Sequence, residues 1–111
     1  MSAERQAARA ACARQDGAEL SFPFGEQAAV YKVAGKVFAI VGLDGTPPQV
    51  TLKCDPEHSE ALRSEHAAII PGYHMNKRHW ITVTLDGSLA QTLVDELIED
   101  SYDLVAPRGR Q

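Results

Sequence analysis

Cysteine is scarce in this chain: Cys12 and Cys54 are the only two in 111 residues. That excludes the disulfide-stapled scaffolds of small secreted proteins, which crowd several cysteines into such a length. No C-x-x-C pair is present, so the spacing gives no support to a redox dithiol. We read both cysteines as small buried hydrophobes, one in a helix and one in a strand. Long apolar runs are missing as well. Val37-Phe38-Ala39-Ile40-Val41 is among the longest, far short of the ~20 residues that span a bilayer. The opening residues hold Glu4, Arg5 and Arg9 instead of an apolar signal core with a cleavage site. The expected location is therefore the cytoplasm, with no membrane partner. The G-x-S-x-G elbow, the phosphate-cradling glycine loop and the dinucleotide fingerprint are all absent. No catalytic residue and no cofactor is assigned on this basis, and a non-enzyme is the preferred reading. Positive charge is in deficit: 11 Lys and Arg stand against 15 Asp and Glu, a net charge of −4. That counts against indiscriminate binding to phosphate backbones, unless the charges segregate onto different faces.

What is present suits one domain. A chain of 111 residues buries roughly two-thirds of its unfolded surface on folding, so it needs neither disulfide nor metal. Ala3, Ala7, Ala8, Ala11 and Cys12 recur near helical spacing, predicting a helix over residues 2–14 capped by Ser2. Leu20 to Gly25 reads as an ordered loop with two aromatic anchors, because Pro23 lacks an amide donor. Tyr31 and Val33 alternate with Lys32, Gly35 interrupts, and Lys36 to Val41 resumes, which predicts a hairpin. Asp44 to Pro48 is a turn, followed by a strand in which Val50, Leu52 and Cys54 alternate with Thr51 and Lys53. Asp55-Pro56 opens a helix, with Asp55 as cap and Pro56 in the first turn. Its core-facing positions are expected to include Ala61 and Leu62, with Ala67 or Ala68. His79 to Leu85 reads as a strand with Ile81, Val83 and Leu85 on one face and Trp80, Thr82 and Thr84 on the other. Ser88 is the expected cap of a last helix striped by Ala90, Val94, Ile98 and Tyr102. The order α-β-β-β-α-β-α predicts an α+β two-layer sandwich, a mostly antiparallel sheet flanked by helices. A single domain over residues 1–106 and a disordered tail over 107–111 complete the expectation.

The densest chemistry lies in Tyr73-His74-Met75-Asn76-Lys77-Arg78-His79-Trp80, just before a strand. Lys77 and Arg78 suit an anion, and Tyr73, His74 and Trp80 offer stacking surfaces. Asn76 adds an amide. Lys36 and Lys53 fall on neighbouring strands and widen a basic surface if they share a side. The plainer reading is a packed loop in which Tyr73 and Trp80 cover the sheet edge while His74 and Asn76 bond to backbone. Arg5, Arg9 and Arg14 add positive charge to the first helix, and the spacing puts Arg5 and Arg9 on one side of it. The last helix is acidic, with Asp95, Glu96, Glu99, Asp100 and Asp103, and would repel phosphate. A metal site from His74, His79 and Cys54 lacks a second ligand pair at matching spacing, so no metal is assigned. An iron role for the acidic helix is weaker than its reading as a soluble outer face.

Several of these pieces together resemble a known family. Pro23-Phe24-Gly25, Gly35-Lys36-Val37-Phe38, Leu52-Lys53-Cys54-Asp55-Pro56, the run from Pro71 to Trp80 and Ser101-Tyr102-Asp103-Leu104-Val105 occur in order over roughly residues 20–105. The set is similar to the MmcQ/YjbR-like family of small bacterial proteins. The resemblance implies a frataxin-type (CyaY-like) two-layer sandwich and a DNA-binding role, with no reaction attached. Two readings stay open. One is a nucleic-acid module using Lys36, Lys53, His74, Asn76, Lys77, Arg78 and Trp80. The other is a protein binding a small anionic ligand in a pocket at Tyr73–Trp80. A protein-interaction domain using a sheet edge is a third class, which no residue selects.

Overall fold

The computed structural model describes residues 2–72 and 75–107. The first helix, α1 (Ala3–Ala13), begins where Ser2 accepts a hydrogen bond from the Arg5 amide, as its sequence predicts. A short strand, β1 (Glu19–Ser21), and a single 3-10 turn, Gly25–Gln27, lead into β2 (Ala28–Val33). Then follow β3 (Lys36–Gly42) and β4 (Gln49–Lys53). Helix α2 (Pro56–Glu65) has Asp55 as cap and Pro56 in its first turn. The chain finishes with β5 (Ile69–Pro71), β6 (Trp80–Thr84) and α3 (Gln91–Val105).

The six strands form one antiparallel sheet in the order β1-β2-β3-β4-β6-β5. The expected hairpin closes through Ala34 and Gly35, both at positive φ (52° and 80°), the conformation a two-residue turn of this twist demands. Alternation along the strands sends Ala29, Tyr31, Val33, Val41, Val50, Leu52, Ile81 and Val83 to one side. There they meet Ala8, Ala11 and Cys12 of α1, Leu62 of α2, and Val94, Leu97, Ile98 and Val105 of α3. All three helices thus feed a single core on one face. An antiparallel sheet tolerates such one-sided cover.

The α+β two-layer reading holds, and five local expectations need correction. Glu19–Ser21 is an edge strand rather than the start of a loop, and Ile69–Pro71 is a second unforeseen strand. Ser88 does not cap the last helix: α3 starts at Gln91, and its cap, Ala90, is exposed and makes no side-chain bond. In α2 the core is met by Leu62 and Ser59, while Ala61 and Ala67 are exposed. Cys54 lies one residue beyond β4. The expected tail begins at exposed Pro107, and residues 108–111 lie outside the described residues. Among the described residues no helix is long and apolar enough to cross a membrane.

Candidate functional site

The face of the sheet opposite the helices is built by the other half of each alternation. Its central row, read through the register, runs Ser21, Val30, Ile40, Thr51, Thr82 and Ile70. Val30 and Thr82 are buried there without a helix above them. Each sits between register neighbours that screen it, and the Thr51 and Thr82 hydroxyls lie 3.1 Å apart in a hydrogen bond. The next row carries the charge. Glu19 pairs with Lys32, Lys32 with Val37, and Lys53 with Trp80. Lys53 and Trp80 are both half-buried, so a cation and an indole stand side by side on the open face.

The approach to Trp80 is pinned from two sides. The Gly72 amide donates to the Trp80 carbonyl at 2.8 Å. A Cβ at Gly72 would fall 2.6 Å from the Trp80 Cβ, so only glycine allows the two chains to come this close. Across the strand, the Cys54 amide donates to the His79 carbonyl at 2.8 Å, prolonging the β4–β6 pairing by one step. Asn76 Oδ1 accepts the Arg78 amide at 2.9 Å, and the His79 amide donates to the Asn76 carbonyl. These bonds make a tight turn whose side chains Lys77, Arg78 and His79 are exposed. Asn76 is thereby a shaping residue, as the plainer sequence reading had it. Tyr73 and His74 lie outside the described residues.

Lys36 and Lys53 do stand on adjacent strands, but not on one side. Lys36 pairs with core residue Val33 and so takes the helix side of the alternation, at the exposed hairpin end. The register shift between Tyr31 and Lys32, which turns both Phe38 and Ala39 inward, keeps Val37 and Lys32 outward. Lys32, which sequence reasoning did not choose, therefore takes the open face in place of Lys36, two strands away from Lys53. Its alternation against Tyr31 and Val33 was the available signal.

The arginines of α1 are engaged elsewhere. Arg5 donates through Nε to the Gly42 carbonyl at 2.8 Å and through Nη2 to the Gly45 carbonyl at 3.0 Å. Arg9 donates to the Tyr31 hydroxyl, and Arg14 lies 4.0 Å from Asp95. By contrast, Lys32, Lys53, Lys77 and Arg78 form no ion pair among the described residues. The acids expected on the last helix do lie on α3, which packs beneath the sheet and away from this cluster. The unpaired Lys32 and Lys53 thus stand on the face opposite the acids of α3, with Glu19 the acid paired in register with the basic row.

Both cysteines are buried, as read from the sequence. Desolvation pushes the Cys12 thiol up to about 12, against the nearby positive charges of Arg14 and Arg9. Desolvation, then Asp55 and Asp100, push Cys54 up to about 11, with Arg63 opposing. Neither is a nucleophile at neutral pH. Among the described residues no group of three or more His, Cys, Asp or Glu side chains is placed to hold a metal ion.

A family model described as YjbR matches residues 13–104. The uncharacterized protein YjbR of Escherichia coli K12 is 41% identical over 91 residues, covering 82% of this chain and 77% of its own. The uncharacterized protein YyaQ of Bacillus subtilis 168 is 42% identical over 66 residues, or 58% of this chain and 55% of its own. Among solved structures, Deinococcus radiodurans DR2400, with a DUF419 domain, superposes with a TM-score of 0.84 at 39% identity, over 93% of this chain and 78% of that one. A Pseudomonas syringae protein superposes with a TM-score of 0.76 at 29% identity, over 95% and 99%.

Proposed function

The chain belongs to the YjbR family, and from the geometry of its open sheet face we propose that it binds single-stranded nucleic acid there. The observation that carries this reading is the register pairing of Lys53 with Trp80, with the exposed Lys77 and Arg78 in the turn that leads into Trp80 and Lys32 two strands away on the same face. A sheet face with an aromatic set among cations is the arrangement that single strands use. The phosphates meet Lys and Arg, and a base stacks on the ring. The low relief of the Val30, Ile40, Thr51 and Thr82 row favours an extended strand over a duplex, which needs an element projecting into a groove. The net charge of −4 includes the five acids of α3, which lies on the other side of the sheet.

Trp80 is the single tryptophan of the sequence, so its fluorescence reports the site directly. Titration with an oligothymidine strand is expected to quench that emission, with micromolar affinity at 50 mM salt. The plot of log K against log salt should slope at about −2 to −3, as expected for three to four phosphate contacts at roughly −0.7 each. Lys77→Ala/Arg78→Ala should flatten the slope by about one to two units. Trp80→Phe should bind a labelled strand nearly as well as the parent, and Trp80→Ala about tenfold or more weaker. A duplex of equal length should bind less tightly. Absence of binding at 20 mM salt, or affinity indifferent to salt, overturns the reading. The small-anion alternative is then tested at the same residues with pyrophosphate.

A further inference from the structure

On the opposite face, at the same end of the sheet, lies a groove of about 300 Å³ lined by Cys54, Asp55, His58, Asp100, Asp103 and Leu104. Its size falls at the small end of ligand sites. It sits where β4 hands over to α2 and where the last turns of α3 pass beside them. We propose that this groove binds a small aliphatic amine, its ammonium among Asp55, Asp100 and Asp103 and its methylene stem on Leu104 and the Cys54 thiol. This inference is independent of the nucleic-acid reading.

Three separate features point to a cation with an apolar stem. First, the rim is negative, with three carboxylates against His58 in the lining and Arg63 as the opposing charge felt at Cys54. Asp55, Asp100 and Asp103 form no ion pair among the described residues. Asp55 has only a long bond from the His58 amide, at 3.5 Å. Asp100 and Asp103 also stand near the C-terminal end of α3, whose last turn holds no basic residue. Carboxylates at the negative end of a helix dipole are unfavourable, and a cation bound beside them relieves that repulsion. Second, the floor is a side chain with unused capacity. The Cys54 thiol is free and only 5% exposed, and it lines the groove without a hydrogen-bond partner among the described residues. It sits in the field of the rim, since Asp55 and Asp100 both add to the rise in its pKa. A thiol is a soft, weakly polar surface suited to methylenes. Third, Leu104 is 51% exposed at the groove wall, one of few large apolar side chains left open. Acid rim, apolar wall and thiol floor match an alkylammonium better than a bare metal ion, which would want several fixed ligands converging on one point.

The test is titration of the 15N-labelled chain with n-butylamine and with 1,4-diaminobutane at pH 7 and 20 mM salt. Amide shifts are expected at residues 54–59 and 100–105, saturating in the millimolar range, with the diamine at least threefold tighter. Asp100→Asn/Asp103→Asn changes two exposed side chains and should weaken both amines fivefold or more. Leu104→Lys, which places a cation at the wall, should abolish the shifts. n-Butanol should give none of these shifts, and magnesium chloride should not reproduce the pattern. Shifts scattered over the surface, an equal response to butanol, or unchanged affinity in the Asp100/Asp103 variant would each overturn the proposal.

Discussion

Cys12 and Cys54 hold their protons well above the ordinary thiol value of 9.0, Cys12 up to about 12 and Cys54 up to about 11. The unfolded chain loses those protons near 9 and the folded chain does not. Thiol burial therefore favours the native state fully below pH 9, and that contribution is lost as pH rises from 9 toward 12. Cys12 is fully buried and should remove stability at up to about 1.4 kcal/mol per pH unit across that window. Urea midpoints at pH 8 and pH 10.5 check this: the drop should be smaller in Cys12→Ala, and iodoacetamide should label neither thiol of the native protein at pH 7.5. That both cysteines are buried was legible in the sequence, because a cysteine without a partner at motif spacing is usually a small apolar side chain. The duties of Arg5 and Arg9 were not legible. Their acceptors, the Gly42 and Gly45 carbonyls and the Tyr31 hydroxyl, lie far away along the chain, and nothing local marks them.

At the scale of elements, α3 reaches into the sheet with one hydroxyl. β3 and β4 pair from Val41 and Val50 to Ala39 and Leu52, and no pairing is formed beyond. The buried Ser101 hydroxyl fills the gap, donating to the Phe38 carbonyl at 2.6 Å and accepting the Lys53 amide at 2.9 Å. Ser101→Ala leaves both backbone groups unsatisfied in a dry site, and should cost about 1–3 kcal/mol in urea unfolding with the m-value unchanged. The main elements were readable because each runs long enough to repeat its period, as β2, β3, β4 and β6 do. β1 and β5 were not, since three residues cannot display an alternation. Leu20 and Ile70 mark them only once the sheet offers Tyr31 and Thr82 as partners. The start of α3 was misjudged for a related reason. Ser88 looks like a cap, but its own amide is held by the Asp86 carboxylate in the preceding turn.

Across the whole molecule, cations without ion pairs among the described residues, Lys32 and Lys53 on the open sheet face and Lys77 and Arg78 beside it, lie away from the acids of α3. Such an arrangement orients a polyanion before contact, and its effect fades as salt shortens the Debye length. Glu96→Gln/Glu99→Gln changes two exposed side chains remote from the proposed interface. It should raise the association rate with a single strand about twofold at 20 mM salt and leave it unchanged at 300 mM, as read by stopped-flow Trp80 fluorescence. That Lys77 and Arg78 share one exposed turn was legible from the density of the sequence there, whereas the inward side of Lys36 and the outward side of Lys32 needed the register. Helix α1 shows what the family match alone would conceal. The family match begins at residue 13, yet Ala8, Ala11 and Cys12 close the core and Arg5 fastens the turn after β3. A fragment cut at the limits of the family match would lack its own lid, so the folding unit is larger than the stretch by which the family is recognised.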